Sequence, residues 1–297
     1  MIAPPGSRLA GALGGERTDA AGLWAALTAG RDAPTHVVLD ATTSLALDGA
    51  AAGESLVEGA RTIIEVQAAV AFLKRWLQEP RLVVSELVLI TRRAIAARRG
   101  EAVLDVVRAA HWGLVRSLRS EHAERRIRLV DVDRADVDPA LLDRALQLGL
   151  DPVSGECEVA VRGAELLVPR LVRCEGSGPP AAPIGPAGTV LLTGGTGALG
   201  RALCQHLVAR HGVRHLILLS RSGSAGEETG AFVSALQRAG AQSVRVIAQD
   251  VTKREEDAAA LAAADSNHPL SVVVHLAGAL DDGLFAQQSD ARIQRVL

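Results

Sequence analysis

Four glycines interrupt TVLLTGGTGALGRAL, Thr189 to Leu203, a stretch that otherwise reads as a strand running into a helix. Gly194, Gly197 and Gly200 make GxxGxxG, and Gly195 gives an overlapping GxGxxG. Glycines at such a junction permit positive φ and let main-chain N–H groups approach phosphate oxygens, while the helix N-terminus adds a favourable dipole. A triplet alone is a weak signal. Here a β-branched and leucine-rich strand precedes the turn, a helix carrying Leu199, Leu203 and Leu207 follows it, and a second strand, HLILLS, ends at Ser220 about 20 residues on. The turn residues Thr193, Gly194, Gly195, Thr196, Gly197, Ala198, Leu199 and Gly200 are therefore the first candidates for holding a dinucleotide.

The end of the second strand selects which dinucleotide. A carboxylate there would accept from a ribose 2′-hydroxyl, but the chain offers Ser220, Arg221 and Ser222. A guanidinium between two hydroxyls suits a 2′-phosphate, so the reading favours NADP(H). Further strand ends point to the same crevice. Asp250, followed by Val251, could accept from an adenine amino group, and Ala277 with Gly278 would let backbone lie against the nicotinamide ribose. His275 reads as a packed strand residue.

Strands and helices alternate on both sides of EGSGPPAAPIGPAG, a Pro/Gly-rich stretch taken as a linker. Before it come HVVLD (36–40), a helix over 56–78 stopped by Pro80, LVLIT (87–91), a helix with Val107, Ala110, Leu114 and Leu118 on its apolar face, and IRLVDV (127–132). After it come TVLLT, HLILLS, a helix around 232–238, VRVIAQD (244–250), a helix near 255–264 and SVVVHLAG (271–278). This rhythm predicts α/β architecture with parallel strands and crossover helices. The division is 1–174, linker 175–188, and 189–297. After the first strand of the first half stands ATTSLALDGA, whose side chains leave no room for a pyrophosphate, so that half reads as scaffold.

Composition narrows the class. The 297 residues are 48% hydrophobic and 22% charged with a formal net charge of -2, as in a soluble globular protein of about two domains. No basic run calls for nucleic acid or an anionic membrane, and Arg92, Arg93, Arg98 and Arg99 read as a solvated helix end. No apolar stretch nears the roughly 20 residues of a membrane span, and the start lacks a signal-peptide pattern, so the cytoplasm is the default. Cys157, Cys174 and Cys204 are too scattered for a metal site and read as free thiols.

Taken together, TVLLTGGTGALGRAL, HLILLSRSG, QDVT and HLAGALDDGL resemble the ketoreductase domain of modular type I polyketide synthases, in the short-chain dehydrogenase/reductase superfamily. HWGLVRSLRSEH (111–122) resembles the tryptophan-glycine helix of that family's structural subdomain, and ECEVAVRGAELLVPRLVR (156–173) the segment that closes it. The resemblance implies two tandem Rossmann-like doubly wound parallel sheets. The first would be a degenerate structural subdomain and the second an incomplete NADP-binding one. It further implies reduction by NADPH of a β-ketoacyl thioester carried on an acyl carrier protein, other synthase domains in the same polypeptide, and no metal. Leu280, Asp281 and Asp282 match the LDD signature of the B type, which yields the D-hydroxyl product, with Asp282 diagnostic; outside that context they read as a solvated acidic turn.

The superfamily reduces ketones with a tyrosine as proton donor, a serine that orients the carbonyl and a lysine that lowers the tyrosine's pKa. The chain has no tyrosine. The catalytic serine, tyrosine, asparagine and lysine are expected beyond Leu297, and SDARIQRVL (289–297), capped at Ser289 or Asp290, reads as a helix cut short. The expectation is a fragment, inactive alone. Two other readings stay open, a degenerate ketoreductase serving as scaffold and an extended-type NADP-dependent reductase or epimerase.

Overall fold

A computed structural model describes the chain apart from residues 4–8, 10–12, 14–15, 43–57, 149–154, 174–183, 225, 254–257, 259–260, 262–263 and 265. By their contacts the residues form two compact units, Met1–Arg173 with Asp281–Leu297, and Cys174–Leu280. Where the sequence reading carried its second subdomain to Leu297, packing gathers the last 17 residues with the first unit. Most of the Pro/Gly-rich linker, the helix near 255–264 and all but the start of ATTSLALDGA lie outside the described residues.

The first unit contains α1 (Ala20–Thr28), β1 (His36–Ala41), α2 (Glu58–Gln78), β2 (Glu86–Arg92), α3 (Val106–Glu121), β3 (Ile127–Val132), α4 (Pro139–Leu148), β4 (Glu158–Arg162) and β5 (Glu165–Leu167). The second contains β6 (Thr189–Thr193), α5 (Ala198–His211), β7 (His215–Ser220), α6 (Glu227–Arg238), β8 (Ser243–Ala248) and β9 (Leu270–His275). Last comes α7 (Asp290–Val296), packed in the first unit.

Strands β1 to β4 run parallel in chain order, and β5 returns antiparallel through a turn at Gly163, whose φ is +62°. One face of this sheet carries Leu39, Leu87, Leu89 and Leu129 beneath α1, α2 and α3, with Trp24, Trp76 and Trp112 filling the layer. The other face carries Val88, Ile90, Val130 and Val161 against Leu141, Leu142 and Ala145 of α4. Because both faces are covered, the strands read as near-continuous apolar runs rather than alternating ones. Helix α2 ends where Pro80 opens a short 3-10 turn, since proline removes a donor and clashes with the preceding turn.

In the second unit the strand order is β8-β7-β6-β9, all parallel. Val190 and Leu192 of β6 face Cys204, Leu207, Phe232 and Leu236 of α5 and α6, and Leu191 faces the opposite side with Ile217 and Leu219. Burial pushes the Cys204 thiol up to about 12, so it packs as a small apolar group. Among the described residues no helix is long and apolar enough to cross a membrane.

Candidate functional site

The chain leaves β6 for β7 and β8 on one side and then returns to β9 on the other, so the strand order reverses at β6. In open α/β sheets the ligand crevice lies outside the carboxyl ends of the strands at such a reversal. The glycine turn after β6, Ser220–Ser222 after β7, Asp250 and Val251 after β8, and Ala277 and Gly278 after β9 all emerge at this one edge. Four separate stretches picked from the sequence thus share one rim.

Sterics at the turn explain its glycines. Gly194 has φ +65°, and a Cβ there would sit 3.0 Å from the Ala277 nitrogen and the Leu276 carbonyl. At Gly200 a Cβ would lie 2.5 Å from the Gly194 oxygen and 2.7 Å from Gly195 backbone, so the first turn of α5 presses directly on the loop. Gly197 is the N-cap of α5 and offers no side-chain cap, leaving the first-turn amides of this 14-residue helix to an outside acceptor. Ala198 and Leu199 are exposed there, Leu199 at 75%, on the first turn above the loop.

Thr193 ties the two sides of the reversal together. Its buried hydroxyl accepts from the Leu276 and Ala277 amides, each at 3.1 Å, and lies 2.7 Å from His275 Nδ1. His275, expected to be packed, is exposed, since β9 alternates between half-buried and exposed positions. Sequence reasoning does not single out Arg201. Its Nε donates to the Thr196 carbonyl at 2.8 Å and its Nη1 to the Glu228 carbonyl at 3.2 Å, bracing the glycine turn against α6, with the guanidinium 5.1 Å from the Phe232 ring. The only signal available was an arginine directly after GALG.

At the end of β7 the Ser220 and Ser222 hydroxyls lie 3.1 Å apart, and Gly223, with φ +59°, packs against Ala248. Arg221 is exposed, and its charge acts on Asp250. The Asp250 carboxyl is held below its ordinary range, first by the Thr252 amide, then by the Thr252 hydroxyl, with Lys253 and Arg221 adding to it. Oδ1 accepts those two bonds at 3.1 and 2.9 Å, which leaves the rest of an ionised carboxylate available. An exposed cation beside two hydroxyls, an uncapped helix start and a turn too tight for side chains fit a nicotinamide dinucleotide.

Asp281 and Asp282 belong to the first unit. Asp281 is gripped by Arg292 and Arg295, each at 2.7 Å, whereas Asp282 is exposed. Leu280 is 87% exposed. The arginine cluster read as a solvated helix end instead follows strand β2, and Arg93 and Arg98 are paired with Glu101 and Glu165.

The carboxyl edge of the first sheet is filled differently. There Arg162, Asp131, Thr91 and Glu101 form a buried network where the second sheet has its glycines. In the described start of ATTSLALDGA, Thr42 bonds Asp40 through both amide and hydroxyl, at 2.9 and 2.7 Å.

Comparisons with known proteins agree in direction. Residues 3–171 match the family model for the Rossmann fold domain of the polyketide synthase extender module SpnB, and residues 188–297 match that of the KR domain. The spectinabilin polyketide synthase system protein NorA of Streptomyces orinoci is 41% identical over 281 residues, covering 94% of this chain and 14% of that protein. Polyketide synthase GfsA of Streptomyces halstedii is 38% identical over 280 residues, 94% of this chain and 3% of that protein. The chain thus spans a small part of each synthase. A structure of A-type ketoreductases from a modular polyketide synthase matches with TM-score 0.75 at 28% identity, covering 99% of this chain and 63% of that one. A C2-type ketoreductase matches with TM-score 0.75 at 29% identity, covering 99% and 65%. Since both match equally well, fold likeness alone does not separate A-type from C2-type.

Proposed function

The chain belongs to the ketoreductase domains of modular polyketide synthases, nicotinamide-dependent oxidoreductases of the short-chain dehydrogenase/reductase superfamily, and from that premise we propose that it serves NADPH-dependent reduction of a β-ketoacyl thioester on an acyl carrier protein. The observation that carries the cofactor choice is Arg221, exposed at the end of β7 between Ser220 and Ser222. When bound, the dinucleotide supplies hydride. The residues of this chain bind and orient it: Gly194 to Gly200 and the first turn of α5 hold the pyrophosphate, Arg221 with the two serines takes the 2′-phosphate, Asp250 and Val251 border the adenine, and Ala277 and Gly278 line the nicotinamide ribose.

In this reading the part before the linker is structural and 189–297 belongs to the catalytic subdomain. These 297 residues contain no tyrosine, the superfamily's proton donor, so in this reading their part is to bind and orient the cofactor. The chain alone would then bind cofactor without turning over. Leu280, Asp281 and Asp282 mark the B type and a D-hydroxyl product. The setting is a multidomain synthase in the cytoplasm, with the carrier protein and neighbouring synthase domains as partners.

The test is the full-length protein that carries this sequence, given NADPH and a β-ketoacyl thioester. The expected result is NADPH consumption with the D-hydroxyacyl product in large excess. Binding of NADPH without consumption on any β-ketoacyl thioester would favour a scaffold.

A further inference from the structure

The segment that follows the LDD residues is anchored in the core of the first unit. Phe285 and Ile293 are buried with α2 and α3, the Phe285 amide donates to Glu121 at 2.7 Å, and Lys74 and Gln67 of α2 donate to the Gln288 and Asp290 carbonyls. From this base Arg292, on α7, reaches back into the 281–283 loop. Its Nη2 lies 2.7 Å from Asp281 Oδ1, 3.2 Å from the Asp281 carbonyl and 2.6 Å from the Asp282 carbonyl. Arg295 takes the other Asp281 oxygen at 2.7 Å, and Gln288 donates to the Gly283 carbonyl at 2.9 Å. Gly283 gives the guanidinium its room, since a Cβ there would fall 2.8 Å from both terminal nitrogens of Arg292.

Through Nη2 the Arg292 guanidinium meets a carboxylate oxygen and two successive carbonyls, and so fixes backbone as well as side chain. We propose that Arg292 is a positioning residue for stereocontrol: the first unit's core sets α7, α7 sets Arg292, and Arg292 sets the backbone on which Asp282 is carried. The inference rests on the LDD loop's part in the proposed reaction and adds the residue that holds it.

The experiment compares Arg292→Ala, Arg292→Lys, Gly283→Ala and, as a core control on the same helix, Ile293→Val in the full-length protein. Product configuration is read by chiral chromatography and cofactor affinity by NADPH titration. Arg292→Ala is expected to lower the D-to-L ratio at least tenfold with NADPH affinity within twofold, Arg292→Lys and Gly283→Ala to fall between, and Ile293→Val to keep the wild-type ratio. An unchanged ratio in Arg292→Ala, or an equal shift in Ile293→Val, overturns the proposal. Amide hydrogen exchange over 281–284, measured without substrate, separates this claim from the reaction itself. At least tenfold faster exchange in Arg292→Ala supports the positioning role even in a protein that reduces nothing, and unchanged exchange refutes it.

Discussion

Alanine at Gly200 is expected to abolish dinucleotide binding and to cost about 3 kcal/mol of stability. The added Cβ would sit 2.5 Å from the Gly194 oxygen and 2.7 Å from Gly195 backbone, atoms that have no rotamer through which to escape. Relief requires the first turn of α5 to withdraw from the loop. That motion takes the uncapped amides with it, and losing two charge-assisted hydrogen bonds of roughly 1.5 to 3 kcal/mol each weakens binding on the order of 100-fold or more. The contrast is Gly230→Ala in α6, where nothing lies within 4 Å of the added carbon. There alanine is expected to stabilise by about 0.5 to 1 kcal/mol through helix propensity. Thermal unfolding with an NADPH titration on both variants checks the pair.

Arg162→Ala should be strongly damaging in the first unit, costing about 3 to 5 kcal/mol, because it leaves the buried Asp131 carboxylate without its cation and takes from Glu101 one of its two, Arg93 being the other. The guanidinium is 3% exposed and every N–H is used: Nε on Glu101 at 2.6 Å, Nη1 on the Asp131 and Val161 carbonyls at 3.1 and 3.0 Å, Nη2 on the Ile95 carbonyl and Asp131 Oδ2 at 3.0 and 2.7 Å. Asp131 Oδ1 in turn accepts from Thr91 and from the Ala94 amide, and Thr91 accepts from Trp112 Nε1 at 2.9 Å. The loss is pH-dependent with a definite sign. Burial pushes the Glu101 carboxyl up, but the Ala97 amide and Arg162 outweigh it and hold the group below its ordinary 4.5. A depressed folded-state value gives stability that is present above 4.5 and lost as pH falls through the lower folded value. The gap between wild type and Arg162→Ala is therefore full at neutral pH and narrows on acidification below 4.5. Denaturant titrations across that range measure it.

Both predictions concern strand ends, and the two ends differ in how much of them a sequence can reveal. The glycine turn is legible because its physics is local: strand, tight loop and helix occupy fifteen consecutive residues. The buried strands are equally plain, being short apolar runs covered on both faces. Arg162 is not legible, since its partners Asp131 and Glu101 lie 31 and 61 positions away and a lone arginine in EVAVR reads as a solvent-facing residue. For the same reason β4 and β5 escape notice. Helix α1, AAGLWAALT, is apolar on all sides and offers no period to detect, although Asp19 caps it by accepting from the Gly22 amide. Helix α4 did carry a readable face in Leu141, Leu142 and Ala145. Which unit α7 docks on is a matter of tertiary contacts through Phe285 and Ile293, and seven residues of helix hold no record of it.

The rim of the second sheet was drawn from scattered residues whose convergence follows from topology. Parallel strands place Thr193, Ser220, Asp250 and Ala277 at one edge, and the reversal at β6 opens the crevice there. Within that rim the role of Arg221 decides the cofactor, and with it the direction of the chemistry proposed.

Fluorescence titration of the protein with NADPH and NADH tests that claim most directly. The account predicts NADPH binding tighter than NADH by roughly 10- to 100-fold, the worth of charge-assisted hydrogen bonds to one phosphate, with Arg221→Ala erasing the difference. Equal affinity for the two dinucleotides, or a preference for NADPH that survives Arg221→Ala, would contradict it.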